Sequence, residues 1–218
     1  MIVTQFSVSL ATVAWLVAAY LLGAIPTSYL AGRLGRGIDL REHGSRNLGA
    51  TNAWRVLGAK YALPVALFDI FKGWAPATLF PGWAGGSPEG APVRAVAFGV
   101  AAILGHVFSP YVGFKGGKGV ATAGGVFLGL APFAVLIGIT VWGAVFYLSG
   151  YVSLGSITTV LLFPLWVWLT VRDPVERGPF TTASGALALF IVFTHRRNLK
   201  RLLAGTESRF RARRGRMP

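Results

Sequence analysis

The stretch GVATAGGVFLGLAPFAVLIGITVWGAVFYLSGYVSLGSITTVLLFPLWVWLTV, from Gly119 to Val171, contains no charged side chain. At about 1.5 Å per residue, a helix of that length is too long for one crossing of an apolar layer about 30 Å thick. The run must turn within itself. Leu130-Ala131-Pro132 and Ser149-Gly150-Tyr151 supply two breaks rich in proline, glycine and serine. Used together they give three spans of short to normal length; a single break would give two long ones.

Four further runs have the same character. Met1 to Gly32 has no charged residue, and its apolar stretch from Phe6 is far longer than that of a signal peptide. Tyr61 to Phe80 is interrupted only by Asp69 and Lys72, Ala95 to Phe114 is uncharged, and Phe180 to Thr194 is short but apolar. The whole chain of 218 residues is 54% hydrophobic and only 13% charged. Soluble domains carry about 25% charged residues, and disordered chains carry more still. An ordinary soluble enzyme and a disordered segment are both excluded. The absence of cysteine excludes disulfides, thiolate metal sites and cysteine nucleophiles.

Charge placement orients the spans. The tail from Arg196 to Arg216 holds nine basic residues, and the loop after the first span holds Arg33, Arg36, Arg41 and Arg46. Basic loops stay in the cytoplasm. Three spans between Gly119 and Val171 put both of these, and the Lys115–Lys118 loop, on the inside. Only Arg94, Arg172 and Arg177 are then external. The expected fold is an all-α integral membrane protein with seven transmembrane helices, amino terminus out and carboxyl terminus cytoplasmic. It forms a single domain over 1–218 with a basic cytoplasmic tail over 195–218. In that setting the net charge of +14 points to anionic lipid and anionic substrates, not to nucleic acid.

Three polar segments then share the cytoplasmic face. The first runs from Gly44 to Arg55 and holds Ser45, Asn47, Thr51, Asn52 and Arg55. The second, Gly113 to Thr122, holds Lys115, Gly116, Gly117, Lys118, Gly119 and Thr122. The third holds His195 and Asn198, followed by Glu207. Glycine lets backbone N–H groups approach an anion, and a following helix adds its positive end, so the set suits phosphate. The second segment is not a Walker loop: Val112 stands at the first glycine position and Gly119 at the hydroxyl position.

Each residue also has a plain structural role open to it. Ser45 could cap a short helix starting near Asn47. Arg55 could snorkel toward the interface or grip phosphate bidentately. His195 and Asn198, three apart on one helix face, could be a base and its partner, phosphate donors, or satisfied structural groups. Glu207 is the one acid in the tail and defaults to a structural ion pair. The arginines from Arg209 to Arg216 suit anionic lipid. Asp69 and Lys72 share a helix face and either mark function or orient helices, and His106, at the inner end of the third span, either packs or takes part in function. A transporter would need access from both faces, and a lipid-organising scaffold leaves the glycine and amide segments unexplained.

The ordered set resembles the bacterial glycerol-3-phosphate acyltransferases that use acyl phosphate, the PlsY family. The likeness runs over nearly the whole chain. It rests on Gly23-Ala24-Ile25-Pro26-Thr27-Ser28-Tyr29-Leu30, Gly44 to Asn52, Asp69-Ile70-Phe71-Lys72-Gly73, Gly105-His106, Lys115 to Thr122, and His195 to Asn198. Arg46 departs from it, standing where the family commonly has glycine. The resemblance implies a multi-pass enzyme of the bacterial plasma membrane with its active site facing the cytoplasm. It implies acyl phosphate and glycerol 3-phosphate as substrates, lysophosphatidate and phosphate as products, and no cofactor or metal. It also implies a peripheral partner enzyme that makes the acyl phosphate. By the same resemblance Ser45, Arg55, Lys118, His195 and Asn198 surround the phosphates and the reacting carbonyl. No His-x₄-Asp pair exists, because His43, His106 and His195 are followed five positions later by Leu48, Tyr111 and Lys200.

Overall fold

The computed structural model describes residues 9–210. Arg211, Arg213, Arg214 and Arg216 of the basic tail lie outside the described residues. Among the described residues the regular structure is helical throughout. The helices are α1 (Leu10–Ala24), α2 (Thr27–Arg36), α3 (Ala50–Leu57), α4 (Ala59–Thr78), α5 (Phe80–Trp83), α6 (Ala91–Val107), α7 (Val120–Leu130), α8 (Pro132–Ser149), α9 (Val152–Thr170), α10 (Pro174–Thr194) and α11 (Arg196–Leu203).

Local chemistry sets these boundaries. The long apolar run divides at both expected breaks. Pro132, whose missing N–H costs nothing in a first helical turn, starts α8. Gly150, at φ 75°, ends it in the left-handed conformation that glycine adopts without strain. Asp173 caps α10, its carboxylate accepting from Val175 N–H at 2.8 Å. The first apolar run is not one helix. Pro26 interrupts it, separating α1 from α2.

Two compact units result, residues 1–130 and 131–218. In the first, α1 packs on α6, and α4 on α7, α3, α6 and α2. Glycine allows the two closest approaches. A side chain at Gly105 or Gly23 would collide with the backbone of the facing helix in the α1–α6 pair. Gly73 and Gly125 do the same between α4 and α7. Trp15 packs against Phe80 and Trp83 with tilted rings, centroids 4.6 and 5.2 Å apart. In the second unit, α9 packs on α8 and α10, with α11 against both α9 and α10.

By length and apolarity, four helical stretches among the described residues can cross a membrane: Leu10–Arg36, Pro88–Val112, Pro132–Ser149 and Val152–Thr170. A fifth is Pro174–Thr194 with Arg196–Leu203, bent by 63°. This falls short of the seven expected. Helix α7 has only 11 residues, and α4, though 20 residues long, encloses Asp69 and Lys72. The described residues are therefore all-helical, with four or five stretches long and apolar enough to cross a membrane.

Candidate active site

The break at Ile25-Pro26 strips backbone carbonyls of their helical partners, and buried carbonyls need donors. Distant side chains supply them. Lys72 Nζ donates to Ile25 O at 2.8 Å, and Ser109 Oγ to Ala24 O at 2.6 Å. Lys72 also pairs with Asp69 Oδ1 at 2.6 Å, and both side chains are almost fully buried. The same oxygen accepts from Thr27 Oγ1 at 2.6 Å and lies 3.7 Å from His106 Nδ1. One carboxylate thus ties α2, α4 and α6 together.

Between α2 and α3 the chain forms a turn-rich segment over a small core of Leu40, Leu48, Ala53, Leu57, Ala62, Val65 and Val112. Arg41 forks onto Asp39, with its Nη2 2.7 Å from Oδ2, and Arg33 joins at 3.3 Å. The Arg41 hydrogen bonds hold the Asp39 carboxyl down to about 2, against the opposing effect of burial. The stabilisation this gives is present above the ordinary carboxylate range near 4 and fades as pH falls toward 2.

Ser45 lies exposed in this segment and does not cap a helix. Helix α3 starts later than expected, at Ala50, with Gly49 as its cap. Asn52, expected among the substrate contacts, is buried on α3. It accepts from Ser45 N–H at 2.8 Å and donates to Leu40 O and His43 O at 3.2 and 3.1 Å. Its amide therefore holds the turn that presents Ser45. Arg46 sits at φ 60°, a left-handed conformation that costs a residue with a Cβ about 1–2 kcal/mol and glycine little. Asn47 and Thr51 are half-buried, and Arg55 is exposed in the last turn of α3.

The glycine segment hangs from the end of α6. Gly117 N–H donates to His106 O at 3.1 Å, and Gly116 N–H to Val107 O at 3.0 Å. A side chain on Gly117 would strike the His106 ring and the Leu48 carbonyl; one on Gly116 would strike the His106 carbonyl. Lys115 is exposed, Lys118 half-buried, and Gly119 takes φ 88° immediately before α7. Thr122, in the first turn of α7, is fully buried with no partner for its hydroxyl oxygen. A small pocket opens here, lined by Pro26, Thr27, Ser28, Leu48, Lys72, His106, Gly116 and Gly117. The structure thus brings the first and second polar segments together within the first unit.

The third segment belongs to the second unit. His195 and Asn198 do not share one continuous helix: His195 occupies the bend between α10 and α11. Its Nδ1 lies 2.8 Å from Ile191 O. A carbonyl only accepts, so Nδ1 carries a hydrogen in this contact. Glu207 Oε1 accepts from Asn198 Nδ2 at 2.6 Å and from Ser153 Oγ at 2.7 Å, while Oε2 pairs with Arg201 Nε at 2.6 Å. Burial would raise the Glu207 carboxyl, but these donors from Ser153, Asn198 and Arg201 outweigh it and lower it. Glu207 therefore fixes the orientation of the Asn198 amide.

Sequence reasoning passed over Thr27, Ser28 and Leu48 as pocket residues and left Asp69, Lys72 and His106 open between functional and structural roles. The available signal was a proline inside an uncharged run, together with two opposite charges three apart in another.

A family profile described as glycerol-3-phosphate acyltransferase matches residues 13–205. A glycerol-3-phosphate acyltransferase of Chlorobaculum tepidum is 42% identical over 220 residues, covering 89% of this chain and 94% of that protein. One from Desulfotalea psychrophila is 45% identical over 193 residues, covering 87% and 93%. Among solved structures, a crystal structure of PlsY (YgiH), an integral membrane glycerol 3-phosphate acyltransferase in its glycerol 3-phosphate form, superposes with a TM-score of 0.83. It is 35% identical and covers 92% of this chain and 96% of its own. The lysophosphatidic acid form of PlsY gives 0.81 at 34% identity, covering 91% and 95%.

Proposed function

This chain belongs to the glycerol-3-phosphate acyltransferase family, and on that premise we propose that it transfers a fatty acyl group from acyl phosphate to glycerol 3-phosphate. The products are 1-acylglycerol 3-phosphate (lysophosphatidate) and inorganic phosphate. The observation that carries this reading is the glycine segment beside α7. Gly116 and Gly117 lie flush against His106 and Leu48, flanked by Lys115 and Lys118 and next to the segment bearing Ser45 and Arg55. Such a surface, with backbone close and cations at either side, suits a phosphate group. Both substrates carry one.

The reaction needs no covalent enzyme intermediate. The glycerol hydroxyl oxygen attacks the acyl carbonyl carbon, a new C–O ester bond forms, and the bond from that carbon to the phosphate oxygen breaks. The hydroxyl proton passes to the departing phosphate, which serves as base. Arg55 and Lys118 offset anionic charge on the phosphates. His195 and Asn198 orient the substrates and donate to the developing oxyanion, and Ser45 hydrogen-bonds to substrate. Asn47, Thr51, Lys115, Gly119 and Thr122 line the substrate site, and Asn52 holds its shape. The acyl chain enters from lipid.

In this reading the chain works as one domain and crosses the membrane seven times, amino terminus out. All three polar segments then face the cytoplasm, where a peripheral enzyme delivers acyl phosphate. Purified protein given palmitoyl phosphate and glycerol 3-phosphate is expected to form lysophosphatidate and phosphate in equal amounts. Phosphate released without ester would mark a hydrolase and refute the assignment.

A further inference from the structure

We infer that Asp69, Lys72 and His106 are positioning residues that set the glycine segment, and through it Lys118, for phosphate binding; the catalytic half of this inference rests on the function proposed above. The chain of contacts is continuous. Asp69 Oδ1 holds Lys72 Nζ and Thr27 Oγ1 at 2.6 Å each and faces His106 Nδ1 at 3.7 Å. His106 in turn carries the segment. Its carbonyl accepts from Gly117 N–H, the next carbonyl accepts from Gly116 N–H, and its ring fills the space a side chain on Gly117 would need. Lys118 follows directly.

Helix packing alone does not account for such a cluster. Burying opposite charges seldom improves on well-packed apolar residues of similar size, so an ion pair is weak evidence for stability. An ion pair does impose direction. A leucine in place of Asp69 would fill space but would fix neither the angle of the His106 ring nor the Ile25 carbonyl. The cluster also borders the pocket, which Lys72, His106, Thr27, Gly116 and Gly117 line together. Its location is where a small displacement would reach the bound phosphate.

The double variant Asp69→Asn/Lys72→Met removes both charges at nearly constant volume, so neither charge is left uncompensated, although the Ile25 carbonyl loses its Lys72 donor. His106→Phe keeps a ring against Gly117 but loses Nδ1, whereas His106→Asn restores a donor near the Nδ1 position. Each is measured in detergent for thermal midpoint, for KM and kcat with glycerol 3-phosphate, and for amide hydrogen exchange over residues 113–119. In variants with a midpoint within about 3 °C of the parent, the inference expects KM to rise at least about fivefold with a smaller change in kcat. It also expects exchange of the segment to accelerate several-fold, and His106→Asn to recover both relative to His106→Phe. A midpoint-matched variant with the parent's KM and the parent's exchange overturns it. If neither parent nor variant acylates glycerol 3-phosphate, the proposed function has failed on its own. Exchange then decides whether the cluster supports the segment.

Discussion

Arg55→Ala and Lys118→Ala are each expected to lower kcat/KM for glycerol 3-phosphate at least about tenfold while the protein stays folded. Loss of a charge-assisted hydrogen bond is worth roughly 1.5–3 kcal/mol, and about 1.4 kcal/mol is a factor of ten in rate. Arg55 is exposed in the last turn of α3, and Lys118 is half-buried at the end of the glycine segment. Arg213 and Arg214, outside the described residues, are the controls, and changing them should alter turnover far less. Near-full activity of both variants at limiting glycerol 3-phosphate would leave these cations a role in topology only.

A comparable loss is expected from Gly117→Ala. The added methyl would meet the His106 ring and the Leu48 carbonyl, and one of them belongs to the backbone. The segment must shift, and a displacement of about 1 Å at a reacting centre can cost about 100-fold. We expect a fall of between tenfold and 100-fold, expressed mainly in KM for glycerol 3-phosphate. Gly124→Ala is the matched control, because open space surrounds that position on the neighbouring helix α7. Equal behaviour of the two variants would show that the close approach at Gly117 has no catalytic consequence.

The sequence was most readable where local chemistry decides. Pro132 and Gly150 divide the longest apolar run because proline suits a first helical turn and glycine a left-handed end, and both breaks fall where expected. The break at Pro26 was hidden inside an uncharged stretch. What makes it tolerable is not local: the exposed carbonyls are satisfied by Lys72, 47 residues away, and Ser109, 85 residues away. Ser45 likewise looked like a cap because a short helix was due nearby. Whether it caps depends on the buried Asn52 amide, which holds the turn open and delays the helix to Ala50. The Asp69–Lys72 pair was visible as a spacing. Its connection to His106 and the glycine segment required the packing of α4 against α6. Glu207 was legible as an ion-pairing acid, but not as the group that aims Asn198.

The central claim is that acyl phosphate is the direct donor. The most direct measurement is kcat/KM of the purified protein for palmitoyl phosphate against palmitoyl-CoA. Glycerol 3-phosphate is held constant, a chelator is present, and no nucleotide or carrier protein is added. The account predicts lysophosphatidate formation from palmitoyl phosphate and little or none from palmitoyl-CoA. Comparable efficiency with palmitoyl-CoA, or activity that the chelator abolishes, would contradict it.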